Sequence, residues 1–280
     1  MKKNRPAAIL PIRCLLKSPG LRRRLAFAIK QDYFVELQLR MPLEPGLAAP
    51  LDRWDAFIAF SETFLSNEYG DLFQRIALPD RWLDFGCHRG YFSLWVAWEK
   101  ARRGLDGPGK ALLIDADPRA GTWFKNLLEC NPSLQNFQFL QAAVATPDSG
   151  DAVSFIQRDG MASLHPGDMP GECDDPISVP RLEAERITEK LAPPYDLIKV
   201  DIEGAEFALF ETMGEILSQA RLLVIEWHGW GDGGASAQAR LAKAAAQLGF
   251  GPPEDLRPIR GSPKCSTDVV TGTHLYRRKS

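Results

Sequence analysis

From Arg81 onward, short continuous apolar runs alternate with longer stretches in which apolar positions recur at helical intervals. The runs Trp82 to Phe85, Leu112 to Ile114, Phe137 to Val144, Asp196 to Val200 and Leu222 to Trp227 predict five strands. A helix after Gly90 buries Phe92, Trp95 and Val96 and stops at Gly104, and a second from Pro118 repeats apolar residues at Ala120, Trp123, Phe124, Leu127 and Leu128. Further helices are predicted over Ala205 to Leu217 and Ala235 to Leu248. Strands that lack polar alternation are covered on both faces. The pattern therefore predicts an α/β fold, a Rossmann-like, doubly wound and mostly parallel sheet with ligands at the carboxyl ends of its strands.

Two stretches depart from this rhythm. Thr146 to Arg181 contains one strand-like run, Val153 to Ile156, and then Gly160, Pro166, Gly167, Pro170 and Gly171, the pattern of a hairpin and loop excursion over the site. At the other end of the chain, Trp54, Phe57, Ile58, Phe64, Phe73 and Ile76 predict helices packed on the main domain. Before them, nine basic residues and no acidic one occur up to Lys30. Pro11 and the pair Pro19 and Gly20 prevent one long helix there, which favours a solvated arm. Leu21, Leu25 and Ile29 share one helical face between those charges, which leaves weak contact with an anionic membrane surface as the alternative. The expected division is a basic arm and helical extension over 1–75, and the main domain over 76–280.

Composition narrows the function classes. A chain of 280 residues, 45% hydrophobic, buries a full core and carries an extension, and a net charge of −2 gives no reason to expect a nucleic-acid partner. Its five cysteines are an odd number with no Cys-x-x-Cys pair, so neither a disulfide framework nor a zinc site is expected. No apolar run approaches the ~20 residues of a membrane span, and Arg13 and Lys17 interrupt the N-terminal apolar stretch, so a cytoplasmic location is expected.

The chemistry-bearing segments lie at predicted strand exits. Leu83 to Phe92 runs from a strand end through Gly86 and Gly90 into a helix, a loop in which glycine admits positive φ and close approach of a ligand. A dinucleotide loop needs a further glycine between these two, where Cys87, His88 and Arg89 stand, so a cofactor without phosphates, S-adenosylmethionine, suits it better than NAD. A tight turn with no ligand would use the same glycines. The second strand then stops at Asp115, 25 residues past Gly90, roughly where an acidic residue meets ribose hydroxyls, about 20 residues on in the dinucleotide pattern. Asp117, followed by Pro118, is explained first as the N-cap of the next helix.

Asp196 to Glu206 puts Lys199 inside an apolar strand and Asp201, Glu203 and Glu206 at its exit, which a purely structural strand rarely does. With Leu83 to Gly90, Asp115 to Pro118, Ala143 and Val144, and Ile225 to His228, this segment resembles the FkbM-type S-adenosylmethionine-dependent methyltransferases, within the class I methyltransferase superfamily. The resemblance runs from about Trp82 to the end of the chain. It implies that Asp84, Gly86 and Gly90 hold the methionine end of the cofactor, Asp115 the ribose, and the third-strand exit at Ala142 and Ala143 the adenine. Phe85, Cys87, His88 and Ala116 complete the implied cofactor-binding set. The sequence departs from the family at His88, where an asparagine is common, and at Asp115, where glutamate is more usual. The implied reaction is methyl transfer to an acceptor, a hydroxyl of a glycan, glycolipid or secondary metabolite.

An activated methyl group needs a positioned nucleophile and, for a hydroxyl, a base. Asp201, at the exit of the central strand, is the first candidate as base or orienter. His228 is the second because its ordinary pKa suits neutral pH, with an exposed loop histidine as the alternative reading. Glu203, Glu206 and Glu226 are candidate acceptors of substrate hydrogen bonds, and Asp201, Glu203 and His228 are candidate ligands of a divalent cation, ranked below the metal-free route. Lys199 is expected to pair with these carboxylates. Trp227 and Trp230 suit either a sugar face or the core. An NAD-dependent oxidoreductase or epimerase, and a catalytically silent binding domain, are the alternatives from other classes.

Overall fold

The computed structural model describes residues 37–155, 177–230, 232, 234–261 and 269–279. The basic arm to Lys30 and the excursion from Gly160 to Gly171 lie outside the described residues. An N-terminal hairpin of β1 (Leu39–Leu43) and β2 (Leu47–Leu51) leads into α1 (Trp54–Phe60), a π-helical turn (Ser61–Leu65) and α2 (Leu72–Arg75). The main sheet then takes β3 (Arg81–Phe85), β4 (Lys110–Asp115) and β5 (Phe137–Gln141), with α3 (Tyr91–Arg102) and α4 (Ala120–Cys130) between them. A small hairpin of β6 (Ala152–Phe155) and β7 (Ile177–Pro180) follows, then α5 (Ala184–Lys190) and β8 (Tyr195–Val200). The chain closes with α6 (Glu206–Thr212), α7 (Gly214–Leu217), β9 (Ala220–Trp230), α8 (Ala235–Gln247), β10 (Glu254–Gly261) and β11 (Val269–Arg277).

The seven-stranded sheet has the order β10-β11-β9-β8-β3-β4-β5. Its five predicted strands pair in parallel, β5-β4-β3-β8-β9, and β11 alone runs against its neighbours β9 and β10. Leu83, Leu112, Ile198, Leu223 and Ile225 form one buried face with α6, α7 and α8, while Trp82, Ala111, Leu113, Leu197 and Val224 form the other with α3. That two-sided burial is why these strands read as continuous apolar runs.

Several boundaries differ from the sequence expectation. The pair β10 and β11 was not foreseen, because β10 carries Glu254, Asp255, Arg257, Pro258 and Arg260 and sits at the sheet edge, where polar residues and proline are tolerated. Strand β5 ends at Gln141, and Ala143 instead pairs with the far end of the excursion, its N–H donating to Pro180 O and its carbonyl accepting from Leu182 N. The predicted helix over Ala205 to Leu217 is interrupted at Met213. Helix α4 starts at Ala120, beyond Pro118, and Asp117 caps the preceding turn by accepting from Arg119 N.

Helix α3 explains the extension. It buries Tyr91, Phe92, Leu94, Trp95, Val96 and Ala97 on more than one face, a pattern that needs cover on both sides. The sheet covers one side. On the other, Leu43, Leu47, Phe60, Leu72 and Phe73 of the extension join the same cluster, although Ile58, expected to pack there, is 43% exposed. Hydrogen bonds fix the cover in place: Trp98 Nε1 donates to Glu44 O (2.8 Å), and the Tyr91 hydroxyl donates to Pro50 O. The buried Asn131 amide treats Ala48 as a strand neighbour would, accepting from its N–H (2.7 Å) and donating to its carbonyl (2.8 Å). Replacing Asn131 with Ala strands both backbone groups and is expected to lower stability by ~1–3 kcal/mol, read as a reduced urea midpoint. An unchanged midpoint would mean that water replaces the amide and that the extension is held by apolar contact alone.

Candidate active site

Parallel pairing of β3 with β8 sets Asp84 opposite Lys199. Asp84 is fully buried and accepts from Ser93 Oγ (2.8 Å), which itself accepts from Trp82 Nε1 (2.9 Å). Lys199 Nζ donates to Gly86 O (3.0 Å) and lies 3.5 Å from Asp84 Oδ1 and 3.3 Å from Asp201 Oδ2. Burial works against the ammonium, but Asp201 and Asp84 outweigh it and hold Lys199 charged. The expected ion pair is thus present and joins two strand exits.

At the first exit, the loop after β3 is tied to β4. Gly86 N and Cys87 N donate to Ile114 O, His88 N donates to Asp115 Oδ2 (2.6 Å), and Asp117 N donates to Asp115 Oδ1 (2.8 Å). Burial raises the Asp115 pKa to about 6, above the pull of those two amides. Burial, then the Arg89 charge, lowers His88 to about 4 and keeps it neutral. Burial also pushes the Cys87 thiol well up, which leaves it unreactive. Both glycines have positive φ, and both are demanded by the protein's own atoms: a Cβ at Gly86 would stand 1.7 Å from Asp201 O, and one at Gly90 2.8 Å from Leu113 Cδ2. Phe85 is core. Ala116 packs with Ala143 and Val179, and Ala142 N donates to Asp115 O, so Asp115, Ala116, Ala142 and Ala143 meet at adjacent strand ends.

The second exit carries the other candidates. Asp201 N donates to Phe85 O (3.0 Å), which continues the β3–β8 pairing and fixes its direction. Glu203 follows with φ +51, a left-handed conformation uncommon for a residue with a Cβ. His228 is buried and lies within β9, paired with Thr271, so it is not an exposed loop residue. Its Nδ1 is 2.9 Å from Glu206 Oε1 and its Nε2 is 3.3 Å from Glu203 Oε2. Burial lowers the His228 pKa, but the hydrogen bond to Glu206 and the charges of Glu206, Glu203 and Asp201 prevail and raise it to about 9. Glu203 is raised to about 7 by burial and the Asp201 charge, against His228. Burial raises Asp201 too, yet Lys199, His228 and Arg257 together leave it below the ordinary carboxylate value.

Some candidates take structural roles instead. Glu206 is 1% exposed and accepts from Gly204 N as well as facing His228, so it does not reach a substrate. Trp227 is fully buried with Nε1 donating to His274 Nε2, and Gly234 and Gly272 leave room for its ring, which makes it core rather than a sugar platform. Three further residues were missed. Glu68 and Tyr69 from the extension and Arg257 from β10 close round Glu226: Arg257 pairs with Glu68, lies 3.6 Å from Glu226 Oε2 and covers the Tyr69 ring. Burial and the Asp201 charge raise Glu226 to about 8 against Arg257. No local motif marks this group, because Glu68 and Arg257 are 189 residues apart in sequence.

The strand order and two exits define a class I methyltransferase fold. A model of the FkbM methyltransferase domain matches residues 84–250, more than half of the chain, and the protein belongs to that family, whose methyl donor is S-adenosylmethionine. The dinucleotide alternative falls with this assignment. No curated protein matches the chain. Among solved structures, the N-terminal domain of EvdMO1 with S-adenosylhomocysteine bound is 12% identical, with a TM-score of 0.47 over 76% of this chain and 81% of that one. In the longer EvdMO1 structure the match covers 40% of that chain. Magnesium protoporphyrin IX methyltransferase from Synechocystis PCC 6803 is 13% identical, with a TM-score of 0.45 over 90% of this chain and 99% of that one.

Removing Lys199 tests the junction. Lys199→Met leaves Asp84 and Asp201 without their shared cation and is expected to cost ~3–5 kcal/mol. Adding Asp84→Asn should recover part of that loss in denaturant titrations, and an additive double variant would deny the coupling.

Proposed function

We propose that the protein transfers a methyl group from S-adenosylmethionine to a hydroxyl of a neutral, polyol-like acceptor such as a glycan, glycolipid or secondary metabolite. The observation that carries this reading is the contact between the two exits: the Asp201 carbonyl leaves no room for a Cβ at Gly86, so the cofactor loop abuts the carboxylate turn. On the cofactor side, His88 Nε2 is buried without a hydrogen-bond partner, Asp84 Oδ1 has only Lys199 at 3.5 Å, and Asp115 keeps acceptor capacity beyond its two amides. The amine and ribose hydroxyls of the donor supply what these atoms lack, with Gly86, Gly90, Ala116, Ala142 and Ala143 shaping the walls. When bound, the donor supplies a sulfonium methyl already activated for in-line transfer.

On the acceptor side, Asp201 orients the hydroxyl and draws off its proton, with Glu203 and His228 completing the polar wall. An anionic acceptor would meet the ionised Asp201 carboxylate and be repelled. An amine would be held there as its unreactive ammonium. A hydroxyl escapes both penalties. Incubation with methyl-labelled donor and an extract of the host should yield label in a base-stable ether. Label in a base-labile ester or on nitrogen would overturn the hydroxyl assignment, and cofactor binding with no transfer would favour a silent domain.

Two variants separate binding from chemistry. Asp201→Asn should keep cofactor affinity and lower kcat by ~10² to 10⁴, the range of a positioned acid–base group. Unchanged turnover would move the role elsewhere. Asp115 gives a pH signature. Its folded pKa of about 6 lies above the unfolded value, so its contribution to the stability of the free protein is present in acid and lost as pH rises through about 6. Cofactor hydroxyls need the ionised form, so cofactor affinity should fall as pH drops below about 6. Asp115→Asn should flatten that dependence in titration calorimetry while weakening binding by ~1.5–3 kcal/mol.

A further inference from the structure

We infer that Asp201, Glu203 and His228 form a binding site for one divalent cation, which would face the acceptor hydroxyl. The inference rests on the acceptor-side reading above and extends it. Each of the three residues offers one ligand atom, and these atoms lie within 4.8 Å of one another. The His228 Nε2 to Glu203 Oε2 separation of 3.3 Å is close to the roughly 3 Å between neighbouring ligands of an octahedral ion with bonds of about 2.1 Å.

The surroundings of His228 are those of a metal ligand. Glu206, unable to donate when ionised, accepts from Nδ1 at 2.9 Å. That bond fixes the ring and directs Nε2 toward Glu203 and Asp201, where a cation would take the place of the Nε2 proton, the arrangement by which a carboxylate behind a histidine orients it for a metal. Glu206 is itself held by Gly204 N, and its second oxygen is buried without a hydrogen-bond partner. Both Asp201 and His228 stand on paired backbone, which keeps ligand geometry firm. Glu203, whose backbone is left-handed, reaches to 3.3 Å from His228 Nε2.

Charge points the same way. The carboxyl groups of Asp201, Glu203, Glu206 and Glu226 crowd this exit, and the nearby cations are shared with other partners: Lys199 divides its charge between Asp201, Asp84 and Gly86 O, and Arg257 between Glu68 and Glu226. The side chains of Asp201 and Glu203 are 28% and 34% exposed, against 7% for His228, so the open coordination positions face solvent and an incoming oxygen. One imidazole and two carboxylates favour Mn²⁺ or Zn²⁺ over Ca²⁺, which prefers all-oxygen shells. A cation in this place would polarise an acceptor oxygen without any change of oxidation state.

The test uses the full chain stripped with chelator and titrated with Mn²⁺, Zn²⁺ or Mg²⁺, followed by calorimetry and, for Mn²⁺, by pulsed electron paramagnetic resonance. One equivalent of Mn²⁺ should bind, with a nitrogen coupling that His228→Ala abolishes. Glu203→Gln, a partly exposed position whose change leaves the core intact, and Asp201→Asn should each weaken binding at least tenfold. Glu206→Gln should weaken it by about 10–100-fold by releasing His228, and Glu129→Gln, on the exposed side of α4, should leave it unchanged. Absence of binding in the wild type at millimolar cation, or binding unaltered in folded Glu203→Gln, overturns the site. Methyl transfer that persists in chelator with no cation bound also overturns it, yet leaves the proposed reaction standing. Cation binding with no transfer to any hydroxyl would sink the reaction and spare the site.

Discussion

A buried ammonium is tolerable only where carboxylates meet it, and Lys199 meets two that belong to different parts of the site. Asp84 comes from the strand that launches the proposed cofactor loop, and Asp201 begins the turn that carries the groups proposed to face the acceptor. The same Nζ donates to Gly86 O, so one cation holds both carboxylates and the backbone between them. This arrangement requires β3 and β8 to be adjacent and in register, which in turn needs the crossover through β4 and β5 to return to the centre of the sheet. Break the register by one residue and Lys199 would face the opposite side of the sheet from Asp84.

Most of the sheet was legible because its five parallel strands read as short apolar runs, four of them with a neighbour on each side. The antiparallel end was not legible. Strands β10 and β11 are mixed in polarity, and the hairpin Leu39–Leu43 with Leu47–Leu51 holds proline in both strands, so neither pair stands out from loop in a single sequence. Within the site, Lys199 was visible as a charge inside an apolar run and Asp201 and Glu203 as charges at its exit, while Asp84 was implied by the family resemblance. The residues around Glu226 were not, since Glu68, Tyr69 and Arg257 become neighbours only through the fold. Sequence also assigned the glycines of the first loop to a ligand, and geometry assigns their missing side chains to Asp201, Leu113 and Leu127.

The N-terminal extension belongs to the same construction. Arg89 projects from the cofactor loop, is 3% exposed, pairs with Asp52 and Asp55 (2.9 Å) and lies over the Trp123 ring at 4.4 Å. Its charge is thereby satisfied by residues outside the region matched by the family model, while its backbone stays inside it. The extension thus does more than shelter the apolar outer face of α3. It also fixes one side of the glycine loop that follows β3.

The closure at Ala143 has a different kind of consequence. The chain leaves the sheet there and returns to the same residue, through Pro180 and Leu182, before entering α5. Because departure and return share one pair of backbone hydrogen bonds, the number of residues between them has no bearing on how the sheet is spaced. Lengthening a loop whose ends are already pinned adds little entropy, about 0.6 kcal/mol for each doubling. The sheet and its strand exits are therefore insulated from the length of this stretch, because the pairing at Ala143 carries the return of the chain.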